Sequence, residues 1–320
     1  MSIDRISTAS QMATMLAHIQ SASAALNTTV DQVTSGKNAT TYAGFGSQTQ
    51  VLTAALAAGA RNDGYTKATT LASTQVSLQD TQLSSLSDLA AQLKKAVSDA
   101  VANNSGTTLM DQANSIFDQA SAILNSKDAN GDYIYSGGKT DVAPLTATSL
   151  SDLASMPSVS NAFANGNLKT SVSVGDGDTV TYGLTASDIA TGLMQSLAQI
   201  AQFDSGNTGD FAANTNLTDA QTSFLTGQIT STSSVADGLN AVQASNGYVA
   251  NRLDDASTQQ ASLKTLYGNF TSNIQDTDVA TAATQLSLQQ TQLQAALQVT
   301  AGLNQLSLLN YLPVSSTGSG

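Results

Sequence analysis

Between residues 235 and 274, twelve positions are spaced alternately four and three apart: Val235, Leu239, Val242, Asn246, Val249, Leu253, Ala256, Gln260, Leu263, Tyr267, Phe270 and Ile274. Ten of the twelve are apolar or aromatic. Residues at this spacing lie along one side of an α-helix, and a seven-residue repeat makes that side a seam for another helix. If helical throughout, the segment is about 60 Å long at ~1.5 Å per residue. Asn246 and Gln260 interrupt the stripe. Either they are buried amides that fix register, or the seam turns to solvent there.

A second seam runs from about residue 65 to 102. Val76, Leu83, Ala90 and Val97 fall seven apart, with Leu86, Leu93 and Ala100 three residues further on. Between these arms the text changes. The segments "TSVSV" and "TVTYGL" alternate around "GDGD" (175–178), which reads as strand, tight turn, strand. An amphipathic helix follows, with Ile189, Leu193, Leu197 and Ile200 on one face. The fold class expected is mainly α: long N- and C-terminal helices paired in a coiled-coil-like bundle, with a small mixed α+β insert in the middle.

Residues 1–35 and 279–312 are also helical in pattern, with Met12, Leu16, Ile19 and Leu26 at one end and Leu286, Leu293, Leu297, Leu303 and Leu306 at the other. Their other faces are Gln, Ser, Thr and Ala. With few ion pairs to offset the ordering entropy, such helices are weak alone and need a partner surface. Disorder in the lone chain, relieved on assembly, is the expectation.

The chain carries little chemistry. Only 11% of residues are charged, all 23 acidic residues are Asp, and there is no Cys or Trp. Glutamate-based, thiol-based and disulfide chemistry are excluded. His18 is the sole histidine, so no triad or two-His metal site fits in one chain. Asp254 and Asp255 point about 100° apart on a helix and do not converge as a catalytic pair would. The stretch "DANGDYIYSGGKTDVAPL" (128–145) fails as a phosphate loop, because Tyr133 stands where the first glycine must be. It fails as a calcium loop too: Tyr133 occupies the turn glycine's place and Lys139 that of the bidentate acid. The third reading, a structural turn leaving a helical bundle, would have Gly137 and Gly138 take positive φ and Tyr133 and Tyr135 pack back on the bundle. No catalytic, cofactor-binding or metal-binding residue is assigned, no cofactor is called for, and the chain is read as not an enzyme.

A net charge of −12 argues against nucleic acid or an anionic membrane as partner. The N-terminal residues lack the pattern of a cleaved signal peptide, and no stretch has the ~18 apolar residues of a membrane span.

Residues 273–312, "NIQDTDVATAATQLSLQQTQLQAALQVTAGLNQLSLLNYL", resemble the C-terminal end of the bacterial flagellin superfamily, with Ile274, Asp276, Asp278 and Ala280 on its turn motif. "NGDYIYSGGKTDVAPL" is similar to the segment of the hook-associated branch in which the chain leaves the helical domain. Gly131, Tyr133, Ser136, Gly137, Thr140 and Pro144 fit it. "LNTTVDQVTSGKNATTYA" resembles the family's N-terminal segment, although Thr41-Tyr42-Ala43 replaces its acidic triplet. The resemblance implies a structural subunit of the flagellum that self-assembles through its terminal helices, most like the hook–filament junction proteins. Filament flagellin with a short outer domain, or a coiled-coil surface adhesin, are the alternatives.

The partners implied are other copies of itself, neighbouring axial proteins (hook-associated protein and flagellin) and an export chaperone. The implied location is the secreted, extracellular flagellum, reached by type III export without a cleaved signal peptide. The organisation expected is a helical assembly segment at 1–50, the bundle's N-terminal arm at 51–139 and a variable outer insert at 140–217. The C-terminal arm follows at 218–275, a second helical assembly segment at 276–312 and a disordered tail at 313–320.

Overall fold

A computed structural model describes residues 2–206, 209–213 and 215–309, with side chains from 10 to 302 outside those gaps; the tail at 313–320 and the side chains of Leu303 and Leu306 lie outside the described residues. Seven α-helices, two 3-10 helices (Tyr42–Gln48 and Val159–Ala162) and one hairpin are described: α1 (Ser2–Ser35), α2 (Thr49–Ala102), α3 (Leu109–Leu124), α4 (Leu150–Ser155), β1 (Ser171–Gly175), β2 (Asp178–Thr181), α5 (Ala186–Asp204), α6 (Asp219–Gln275) and α7 (Val279–Leu309). The chain divides into two compact units, Arg61–Leu263 and the remainder, Met1–Ala60 with Lys264–Gly320.

Within Arg61–Leu263, the expected α2 seam is buried at every position. Val76, Leu83, Ala90, Val97, Leu86, Leu93 and Ala100 are all inaccessible or nearly so. Along α6 every seventh residue is the deep one: Leu239, Asn246, Leu253 and Gln260 are buried, while Val235, Val242, Val249, Ala256 and Leu263 are half-buried. The two amides are therefore inside the seam. Asn246 Nδ2 donates to the Val76 carbonyl (3.0 Å), and Gln260 Nε2 donates to Thr69 Oγ1 (2.8 Å). Asn62 and Thr69, continuing the heptad upstream of Val76, are buried with them, and Asn62 Nδ2 donates to the Gln260 carbonyl (2.9 Å). One end of the seam is packed by hydrocarbon and the other by hydrogen bonds.

The hairpin forms around Asp176-Gly177, with Val172 opposite Val180 and Ser173 opposite Thr179. Val172, Val174, Val180 and Tyr182 cluster with Ala72 and Val76 of α2 and Leu253 of α6. The alternation seen in the sequence is thus one face on the helices and one in water. The tip is tied down as well: Tyr65 donates to Asp176 (2.8 Å), and Arg252 pairs with Asp178 (3.4 Å).

Ile189, Leu193, Leu197 and Ile200 of α5 are buried in one hydrophobic cluster with Leu83–Ala100 positions of α2, Phe117 and Leu124 of α3, and Leu225 and Leu239 of α6. The core of the middle segment is thus continuous with that of the long helices.

Several helix starts are capped by side chains. In the Glu-free chain, Thr218 and Gln221 form a reciprocal capping box at α6: Thr218 Oγ1 accepts from the Gln221 amide (3.2 Å) and Gln221 Oε1 from the Thr218 amide (2.8 Å). Thr185 caps α5 and Ser149 caps α4 in the same sense.

In the other unit, α1 and α7 are helical and pack against one another. The helical pattern expected for 1–35 and 279–312 is thus present in the described residues. Among the described residues the two helices cover each other in part.

Candidate assembly surface and exit turn

The stretch at 128–145 is a knot of local hydrogen bonds. Asp128 Oδ1 accepts from the backbone N–H groups of Asn130 (2.8 Å) and Asp132 (3.0 Å). These donors, Asp132 foremost, hold its carboxyl below the usual carboxylate range. The tyrosine amide at 133 donates to the Thr140 carbonyl (3.0 Å), closing the loop. Gly137 (φ 60°) and Gly138 (φ 92°) do take positive φ. Gly137 also lies against Gly166 so closely that a Cβ on it would stand 2.0 Å from the Gly166 carbonyl oxygen. Lys139, the lysine of the phosphate-loop reading, is spent on the Ala164 carbonyl (3.1 Å).

Tyr135 is wholly buried and its hydroxyl donates to Gln82 Oε1 (2.5 Å), while Tyr133 is half-buried with the Lys127 ammonium 4.4 Å from its ring centre. Burial pushes the Tyr135 hydroxyl far above the ordinary tyrosine range. A cavity of about 220 Å³ opens beside the knot, walled by Gln75, Asp132, Gly138, Leu168 and Thr170 among others. Its walls are mainly backbone and neutral polar groups, with no set of charges aimed at one point. His18, Asp254 and Asp255 are exposed, and no group of three or more metal-ligating side chains exists among the described residues.

The unit of chain ends presents a different kind of surface. Among its described side chains only Thr29, Leu52, Ala55 and Ala282 are buried. Large apolar residues stay open instead: Leu16 and Leu288 at 57%, Val51 at 54%, Val299 at 51% and Leu297 at 50%. Phe270, Leu266 and Met12 are scarcely less exposed. A monomeric surface seldom carries so many open apolar side chains, and such surfaces mark interaction sites. Charge is segregated with them. Arg61–Leu263 holds eight Lys or Arg against 19 Asp, net −11, whereas the chain ends hold three against four, net −1. A nearly neutral apolar surface can be buried without desolvating many ions.

Where these ends turn, the two segments singled out in the sequence meet. Gly36 (φ 68°) ends α1, and its carbonyl accepts from the Thr277 amide (3.0 Å). The Asn38 amide donates to the Gln275 carbonyl (2.6 Å), and its side-chain Nδ2 reaches the carbonyls of Ile274 and Asp276, both at 3.0 Å. Asp278 caps α7: its Oδ1 accepts from the Ala280 (3.0 Å) and Thr281 (3.2 Å) amides, and the Thr281 hydroxyl donates to Oδ2 (2.8 Å). These bonds, led by those from Thr281, hold its carboxyl below the usual range. Sequence reasoning found the Asp276–Asp278 turn and the Ser-Gly-Lys segment, but not Asn38, whose partners lie more than two hundred residues away.

Residues 229–312, spanning most of α6 and all of the described α7, match the family of the bacterial flagellin C-terminal helical region. The fold is shared with a flagellar hook-associated protein of Vibrio parahaemolyticus, at 18% identity and a TM-score of 0.58 over 70% of this chain and 96% of that one. It is shared also with FlgL of Bacillus cereus, at 12% identity and a TM-score of 0.53 over 69% of this chain and 98% of that one. No curated protein matches the chain in sequence. No described helix is long and apolar enough to cross a membrane.

Proposed function

We propose that this chain is a structural, non-enzymatic subunit of the bacterial flagellum, placed at the hook–filament junction and assembling through α1 and α7. The observation that carries the reading is the open apolar surface of the chain-end unit, which includes the α7 segment matched by the flagellin family. Burial of that surface between subunits stabilises the assembly at about 25 cal/mol per Å² of apolar area. A head-to-tail contact of this kind generates a ring where its rotation closes and an open helical array where it does not. The partners are further copies of the chain, a hook-associated protein on one side and flagellin on the other, with a chaperone covering the ends before type III export to the cell exterior. The FlgL-like fold favours the junction over the filament.

Deletion of the gene and imaging of the cells tests this. Hooks that persist without filaments, with flagellin shed into the medium, are expected. Filaments of normal length on the deletion strain would remove the junction role, and loss of filament mass by the chain's own absence would assign it to the filament.

A further inference from the structure

We infer that Asn38 is the positioning residue of the assembly surface: its side-chain amide clamps the end of α6 to the end of α1, and so sets how α1 and α7 are presented to a neighbouring subunit. The inference rests on the assembly reading above.

Two helix ends, those of α1 and α6, converge on this residue. The last carbonyls of a helix have no partner within it. Here the Ile274 carbonyl in the last turn of α6 and the Asp276 carbonyl just beyond it are both taken by Nδ2 of Asn38, while the backbone amide of Asn38 takes that of Gln275. The Asn38 carbonyl in turn accepts from Gln32 Nε2 of α1 (3.0 Å), and the backbones of Lys37 and Asp276 pair as an isolated antiparallel β-bridge. One side chain therefore joins elements 236 and 238 residues apart in sequence.

Hydrocarbon packing does not do this instead. With four buried side chains in the whole described unit, little else fixes the helix directions. Asn38 is itself exposed, so its loss leaves carbonyls that water can reach, and the chain still folds. What is lost is the single geometry of the joint, and preformed geometry is what lets association proceed without an ordering cost.

The test uses the full-length chain, whose lack of cysteine allows clean labelling. Spin labels at Ser21→Cys on α1 and Asn269→Cys on α6 report the distance across the joint. A single narrow distribution is expected with Asn38 present, and one at least twofold broader in Asn38→Ala. Asn38→Asp, which keeps the size but removes the donors, should broaden it equally. Unchanged widths in both variants, or a width kept by Asn38→Asp, overturn the inference.

Assembly is read separately, as incorporation onto isolated flagella. The critical concentration is expected to rise several-fold in both variants while thermal melting of Arg61–Leu263 stays put. Equal incorporation of wild type and Asn38→Ala overturns the inference. Failure of the wild type itself to incorporate would strike the functional reading instead, leaving the distance measurement to decide the joint.

Discussion

Gln260 donates through Nε2 to the carbonyl of Val174, 2.8 Å away, joining α6 to the hairpin across 86 residues of sequence. The same nitrogen serves Thr69 of α2, so one buried amide holds three elements. Gln260→Ala strands the Val174 carbonyl and the Thr69 hydroxyl in a dry site and opens a cavity. A loss of about 2–4 kcal/mol is expected. Urea unfolding measures it, and hairpin amides should lose exchange protection before those of α5.

Leu253 is wholly inaccessible, in the cluster where the hairpin meets the helices. Leu253→Asp places an unpaired carboxylate there and is expected to cost about 3–5 kcal/mol or prevent folding. Leu263→Asp, at a half-buried seam position, should cost clearly less. Thermal melts of the pair decide this, and equal destabilisation would show the burial gradient to be without consequence.

Tyr135 makes stability depend on alkaline pH. Its folded-state pKa lies above the unfolded value, so its contribution is complete below about pH 10 and declines above it, where only the unfolded chain ionises. In a spectrophotometric titration Tyr135 should ionise last, together with unfolding. Tyr135→Phe removes that late step and, by losing the bond to Gln82, lowers stability at neutral pH by about 1–2 kcal/mol.

The knot at 128–145 should take up neither calcium nor ATP. Asp128 is engaged by backbone amides and Lys139 by a carbonyl, so neither faces a ligand. Titration calorimetry is expected to show only dilution heats, and micromolar binding of either ligand would refute this account of the loop.

Amides around Leu16 and Leu297 should exchange fastest of the described helices in the monomer, because local opening there exposes almost nothing that was buried. Around Leu93 and Leu253 exchange should be slowest. In assembled flagella the first pair is expected to become protected, and persistent fast exchange there would mean that those stripes stay uncovered.

The sequence by itself determined the helices, because their signals are local. The α2 heptad was legible from Val76 to Ala100, and each of those side chains is buried; the hairpin and α5 were legible from their own periods. The knot's glycines declared themselves, since positive φ is a demand on single residues. It took the tertiary structure to decide between the two readings of Asn246 and Gln260, because an amide is buried or solvated according to who supplies its partners, and Val76, Thr69 and Val174 are 86 to 191 residues away. For the same reason Asn38 stayed silent in the sequence. Periodicity shows which face a helix wants to bury, but the partners of a polar side chain are set only when distant turns are brought together.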